Sequence, residues 1–181
     1  EYRKGFLSKV FGTKKQMGKG ATPSQAEASA VMELAERFSF FSFCNPSDNF
    51  VYARRRDLND PVLPFEMIAK SVHDTSDDLA ITEKIFDRLP MRWTWAYNLT
   101  RSEAVLIPFD WFYAINEFNG PSAGNCSEEA LSQGICEIVE RHVSSLVSQK
   151  QLAVPGVNLD SATDPAVVEM IQKYRRAGIN L

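Results

Sequence analysis

Two stretches of the sequence carry the same arrangement of acidic residues, Glu-x-x-Glu-Arg, from Glu33 to Arg37 and from Glu137 to Arg141. On a helix, the two glutamates of each stretch would share one face, because residues three apart are neighbours there. Carboxylates brought together repel one another unless cations neutralise them. Magnesium suits such a group because it takes oxygen ligands and completes its shell with water and substrate phosphates. The arginines can bind phosphate oxygens bidentately, so the pattern predicts a magnesium–phosphate site.

The two stretches end longer segments that match each other at a constant offset of 104 residues (124 − 20 and 141 − 37) without a gap. Five positions are identical: Gly20/Gly124, Ala26/Ala130, Glu33/Glu137, Glu36/Glu140 and Arg37/Arg141. Each segment is a glycine-containing loop that leads into a helix, whose first N–H groups attract anions. Small residues lie near the glutamate-bearing faces of the two helices and would let a ligand or another backbone come close: Ala26, Ala30 and Gly134. One copy alone would be an ordinary solvated helix face, but the matched pair predicts two related units.

The elements that must position these residues are helices alternating with pairs of strands. Helices are predicted over 23–39, 65–72, 77–89, 127–147 and 164–177. Strands are predicted over 40–44, 50–56, 92–98 and 104–108, the last two as a hairpin. Thr22 and Ser127 are good N-cap residues, and Gly178 is a good helix stop. This order predicts an α+β fold of two related α/β repeat units, with helices packed on mainly antiparallel strands.

The bulk composition argues against several classes of protein. The chain has 181 residues and a net charge of −3, which gives no reason to expect binding to nucleic acid or to a membrane surface. No apolar run approaches the roughly 18 residues of a membrane helix. The three cysteines lack Cys-x-x-Cys spacing, which argues against a disulfide framework or a zinc site. A cytoplasmic protein is therefore expected.

Together these residues resemble the YcaO family. The resemblance rests on two ordered groups of motifs, Gly18-Lys19-Gly20, Gln25-Ala26 and Ser29-x-x-x-Glu33-x-x-Glu36-Arg37, then Gly124-Asn125, Glu128-Glu129-Ala130 and Gly134-x-x-Glu137-x-x-Glu140-Arg141. It covers nearly the whole chain, although domains of this family are longer. It implies a single partial, incomplete YcaO-like domain over 1–181, the amino-terminal part, with repeat units at about 17–120 and about 121–181.

The resemblance implies Mg-ATP-dependent activation of a peptide backbone amide. Phosphorylation turns the amide oxygen into a good leaving group, and the products are azolines or thioamides; a related accessory role in protein modification is also implied. Carried over residue by residue, it implies magnesium ligation by Glu33, Glu36, Glu137 and Glu140, and nucleotide contacts by Ser29, Asn125, Glu129 and Arg141. Lys19, between two glycines in a basic segment, is a candidate phosphate contact.

No general base is predicted, because neither His73 nor His142 lies in a motif. The resemblance further implies a peptide or protein substrate, a partner that is TfuA-like or similar to a ubiquitin-activating enzyme, and a homodimer. One alternative is a non-catalytic YcaO-like binding or scaffold module, or an inactive fragment. Another is a di-iron carboxylate bundle, which uses Glu-x-x-His and would need histidine where Glu36 and Glu140 stand.

Overall fold

The structure, a computed structural model, describes residues 17–72, 78–116 and 119–181. His73 and the start of the helix predicted over 77–89 lie outside the described residues, as does most of the basic amino-terminal segment. Contacts divide the chain into two compact units. The first unit combines Glu1–Glu36, of which residues 17–36 are described, with Ser122–Leu181, and the second unit is Arg37–Pro121.

Six α-helices and three strands are formed by the described residues, besides short 3-10 turns. The helices are α1 (Pro23–Cys44), α2 (Phe65–Ala69), α3 (Leu79–Phe86), α4 (Phe109–Asn116), α5 (Ser127–Lys150) and α6 (Pro165–Arg176). The strands are β1 (Val51–Arg54), β2 (Pro90–Asn98) and β3 (Glu103–Pro108). No helix among these residues is long and apolar enough to cross a membrane.

The second unit is built on an antiparallel sheet in the order β1-β2-β3. β2 pairs with β3 from Trp93↔Pro108 to Asn98↔Glu103, which confirms the predicted hairpin. Trp93 is fully buried at the middle of this sheet. Around it lies a core cluster formed by Phe65, Ile68, Phe86, Met91 and Leu106.

Arg55 joins the residue stretch after β1 to α3. Its Nη1 lies 2.8 Å from Glu83 Oε1 and 2.7 Å from Asp87 Oδ1. Burial of Arg55 opposes its charge, but the hydrogen bonds to Asp87 and Glu83 outweigh burial and raise the pKa of Arg55. The charged Arg55 side chain therefore joins the segment after β1 to the carboxyl-terminal end of α3 through two ion pairs.

Helix α1 is longer than the sequence predicts. A strand is predicted over 40–44, but these residues continue α1 to Cys44, so that prediction is wrong. The Phe40 ring centroid lies 6.1 Å from that of Tyr113. The Phe43 ring centroid lies 5.4 Å from that of Phe50. The strand preference of aromatic residues depends on the surfaces they pack against, and here those surfaces accommodate a helix.

Helices α1, α5 and α6 begin within one residue of their predicted starts. Thr22 Oγ1 accepts a hydrogen bond from the Gln25 N–H at 3.2 Å, which confirms the predicted cap of α1. Ser127, in contrast, is the first helical residue of α5, and Cys126 occupies the N-cap position. The prediction of Ser127 as N-cap is therefore wrong by one residue. Gly178 follows α6 with a φ of 70°, a conformation that favours glycine and ends a helix.

Candidate functional site

A cavity of about 770 Å³ lies in the first unit, against α1 and the start of α5. From α1 it is lined by Ser29, Glu33 and Glu36, whose spacings of four and three residues put them on one helix face. From the loop before α5 and its first turn it is lined by Asn125 and Glu129. The structure thus brings five of the nine predicted site residues around one cavity.

The other four predicted site residues are not among those that line this cavity. Lys19 and Glu140 are exposed. Glu137 is less exposed, and its Oε1 lies 3.5 Å from Nη2 of Arg141, one helical turn further along α5. All nine residues stay predictions as ligands, since lining a cavity does not show what a residue binds.

The carboxylates in the cavity fit a magnesium ion that is also bound by a nucleotide. Within residues 17–72, 78–116 and 119–181, no three Asp, Glu, His or Cys side chains are grouped so that they could hold a metal ion by themselves. Mg²⁺ is usually bound by only one or two carboxylates, and phosphate oxygens and water supply its other ligands. Glu33 and Glu36, both partly buried on the cavity wall, provide that number.

The start of α5 is held by contacts between its first turn and the loop before it. The backbone N–H and the side-chain Nδ2 of Asn125 both donate to Glu129 Oε2, at 2.9 and 3.0 Å. Gly124 packs so closely that a Cβ added there would lie 2.5 Å from the backbone N of Ala130. The loop is therefore fixed to the helix by hydrogen bonds on one residue and close packing on the next.

The start of α1 is built in the same way, 104 residues earlier. The N–H of Ala21 donates to Gln25 Oε1 at 2.9 Å, as the Asn125 N–H does to Glu129. A Cβ added to Gly20 would lie 2.6 Å from the backbone N of Ala26. This contact matches the one between a Cβ added to Gly124 and the backbone N of Ala130. The helices begin at Pro23 and Ser127, which keep the same offset.

Small residues on α1 allow a second close approach, as the sequence predicts. The Gly18 backbone lies against Ala26 and Ala30, and a Cβ on Gly18 would collide with the backbone of both. In this case the group that comes close is a backbone segment of the chain. Gly134, the third of these small residues, is the one buried residue among those of α5.

Charge at the start of α5 is stabilised by the helix end. The pKa of Glu128 is lowered by a hydrogen bond with its own backbone N–H, and further by hydrogen bonds with the Cys126 and Ser127 side chains. Such bonds favour the ionised carboxylate, as does the positive end of the helix. Glu128 is not among the residues that line the cavity, so this stabilised charge belongs to the helix end and not to the cavity wall.

Comparison with known proteins decides the family. A family model described as "YcaO cyclodehydratase, ATP-ad Mg2+-binding" matches residues 17–181. The chain belongs to the YcaO family. The description names ATP and Mg²⁺, which are the cofactors that the sequence predicts.

Two curated relatives of this YcaO chain are longer than the chain itself. It is 32% identical over 178 residues to an uncharacterized protein of Methanothermobacter thermautotrophicus, a match that covers 91% of this chain and 42% of that protein. It is 35% identical over 78 residues to the ribosomal protein S12 methylthiotransferase accessory factor YcaO of Escherichia coli, covering 42% of this chain and 13% of that protein. The chain spans less than half the length of either relative.

A solved relative supports the fold. The structure of YcaO from Methanopyrus kandleri bound with AMPPCP and Mg²⁺ matches 90% of this chain and 38% of that chain, with a TM-score of 0.56 and 24% identity. The predicted α+β class, with helices and a mainly antiparallel sheet, is confirmed by the observed elements and by this likeness.

Proposed function

We propose that this YcaO chain supplies part of a Mg-ATP site that activates a peptide backbone amide for azoline or thioamide formation, or for a related step of protein modification. The observation that carries the proposal is the convergence of Ser29, Glu33, Glu36, Asn125 and Glu129 on one cavity. Membership of a family described as ATP- and Mg²⁺-binding supports it further.

The chemistry requires that a poor leaving group become a good one. A Cys, Ser or Thr side chain, or a sulfide source, attacks the amide carbon, and the amide oxygen takes the γ-phosphoryl group of ATP and departs as phosphate. A bound Mg²⁺ would neutralise phosphate charge, including the charge that develops during transfer. Glu33 and Glu36 would hold this ion, and Ser29 and Asn125 would bind the nucleotide through neutral polar groups.

The matching starts of α1 and α5 support a second proposal, that the chain contains two related units, at about 17–120 and about 121–181. Under this proposal Glu137 and Glu140 are the counterparts of Glu33 and Glu36 and also act on Mg-ATP, with Lys19 and Arg141 at the phosphates. A peptide or protein substrate, a TfuA-like or ubiquitin-activating-enzyme-like partner, a homodimer and a cytoplasmic location complete the proposed setting.

Isothermal titration of the full-length protein with Mg-ATP tests the proposed site. Glu33→Gln and Glu36→Gln each remove one carboxylate charge and should weaken binding by about tenfold or more, as expected for a charged contact. Glu27→Gln is the matched control, because Glu27 is an exposed glutamate of α1 outside the cavity lining. Equal affinities for all three variants and the wild type would refute the site.

A non-catalytic binding module is the second candidate. Four of the nine predicted ligands do not line the cavity, which favours a site that binds nucleotide without turnover. Phosphate release in the presence of candidate peptides separates the two functions. Mg-ATP binding without peptide-dependent phosphate release would favour the binding module, whereas release that depends on the peptide would favour amide activation.

A further inference from the structure

The side chain of Glu129 is engaged with Asn125 across the first turn of α5. One carboxylate oxygen, Oε2, accepts from both the backbone N–H and the side-chain Nδ2 of Asn125. Both residues line the cavity. A carboxylate can only accept, so the amide group of Asn125 must turn its NH₂ towards Glu129. Two bonds to one residue fix both the backbone and the amide plane of Asn125.

We infer that Glu129 is a positioning residue, which acts on the nucleotide through Asn125 and holds the Asn125 amide with its carbonyl oxygen as the group offered to the ligand. The inference rests on the proposed Mg-ATP site. It gives the two residues different roles: Asn125 contacts the nucleotide as an acceptor, and Glu129 fixes the orientation of that acceptor.

The start of α1 shows which part of this contact serves only the helix. There Gln25 Oε1 accepts from the backbone N–H of Ala21 at 2.9 Å, so an amide oxygen caps the helix as the carboxylate does. Alanine has no side chain to orient, and neither Ala21 nor Gln25 lines the cavity. The bond to the backbone is therefore common to both helix starts, whereas the bond to a cavity side chain belongs to α5.

This comparison provides a variant that separates charge from geometry. In Glu129→Gln the amide oxygen can still accept from Asn125, as Gln25 does from Ala21, but the negative charge is lost. Glu129→Ala loses both the charge and the acceptor. Gln25→Ala removes the equivalent cap from α1 and leaves the cavity lining unchanged, so it is the control for a purely structural effect.

Titration of the full-length protein with Mg²⁺ and the non-hydrolysable analogue AMPPCP gives the first test. Glu129→Ala and Asn125→Ala should each weaken binding about three- to tenfold, the range for one hydrogen bond. The double variant should be no more than about twofold weaker than either single one, because the residues act as a unit. Glu129→Gln and Gln25→Ala should bind within about twofold of the wild type.

Three results of this titration would overturn the inference. If Glu129→Gln loses as much affinity as Glu129→Ala, the charge itself contacts the nucleotide or its metal. If the losses of the two single variants multiply in the double variant, Asn125 and Glu129 contribute separately. An equal loss in Gln25→Ala would show that helix capping alone accounts for the effect.

A second readout needs no nucleotide. The side-chain NH₂ signal of Asn125, assigned by its absence in Asn125→Ala, should exchange slowly with solvent in the wild type and in Glu129→Gln. It should exchange rapidly in Glu129→Ala. Rapid exchange in the wild type would overturn the positioning role. Slow exchange in a wild type that binds no AMPPCP would instead refute the proposed function and leave the Asn125–Glu129 contact standing.

Discussion

The substitution Gly124→Ala tests whether the loop before α5 must lie directly on the helix. The added Cβ would be 2.5 Å from the backbone N of Ala130, 2.9 Å from the Cβ of Glu129 and 3.0 Å from its carbonyl carbon. Comfortable contacts between such atoms begin at about 3.5 Å. The loop must therefore move by about 1 Å, since the atoms it meets belong to the backbone and the fixed Cβ of a helix.

The expected cost follows from this displacement. Forcing an extra methyl group into a packed backbone contact lowers the free energy of unfolding by about 1–3 kcal/mol. The same movement shifts Asn125, the next residue, relative to Glu129, so Mg-ATP affinity should fall about tenfold if one charge-assisted hydrogen bond is lost. Chemical denaturation measures the first effect, and isothermal titration of the full-length protein measures the second.

Gly156→Ala is the matched control for this experiment. No atom lies within 4 Å of a Cβ added at Gly156, so this substitution should leave both stability and binding unchanged. A Gly124→Ala protein with wild-type stability and wild-type affinity would show that the loop can move freely. That result would refute the argument that close packing positions Asn125.

Three further predictions concern other parts of the chain. Arg92→Lys should lower the free energy of unfolding, measured by thermal denaturation, by about 1 kcal/mol, because lysine cannot reproduce the two short contacts of Nε and Nη2 with Asp110. Unchanged stability would contradict this prediction. Burial raises the pKa of the Cys44 thiol, and the charge of Arg92 only partly offsets this effect. Iodoacetamide should therefore modify Cys44 more slowly than the exposed Cys126 at neutral pH, as measured by peptide mass spectrometry. Equal rates of modification would contradict this prediction. The pKa of Glu128 lies below its ordinary 4.5, so ionised Glu128 stabilises the folded protein above that pH, and this contribution is lost as the pH falls through the folded-state pKa. Glu128→Gln should therefore flatten the acid limb of the curve of unfolding free energy against pH. An unaltered acid limb would exclude this role.

Much of the fold could be predicted because local patterns and tertiary packing agree. The hairpin of β2 and β3 shows strand patterning on both sides of a turn, and the structure pairs the two strands as expected. The segment 40–44 could not be predicted, because its aromatic residues fit a strand or a helix until the rings they contact are known. Helix α4 was missed for a similar reason, since its aromatic run indicates burial more clearly than period.

The candidate site divides along the same line. Helical spacing places Ser29, Glu33 and Glu36 on one face from sequence alone, and the structure puts all three on the cavity wall. The capping roles of Gln25 and Glu129 were missed, although the third helical position is a known place for such side chains. The contacts of Gln25 with Ala21 and of Glu129 with Asn125 depend on where the loop before each helix lies, and the sequence does not show this position.

The most direct test of the central claim is a crystal structure of the full-length protein with AMPPCP and Mn²⁺, because anomalous scattering locates the metal. We expect a metal peak bound by Glu33 and Glu36 and a nucleotide that contacts Asn125 within the cavity. A metal and a nucleotide bound elsewhere, with these three side chains free of both, would contradict it.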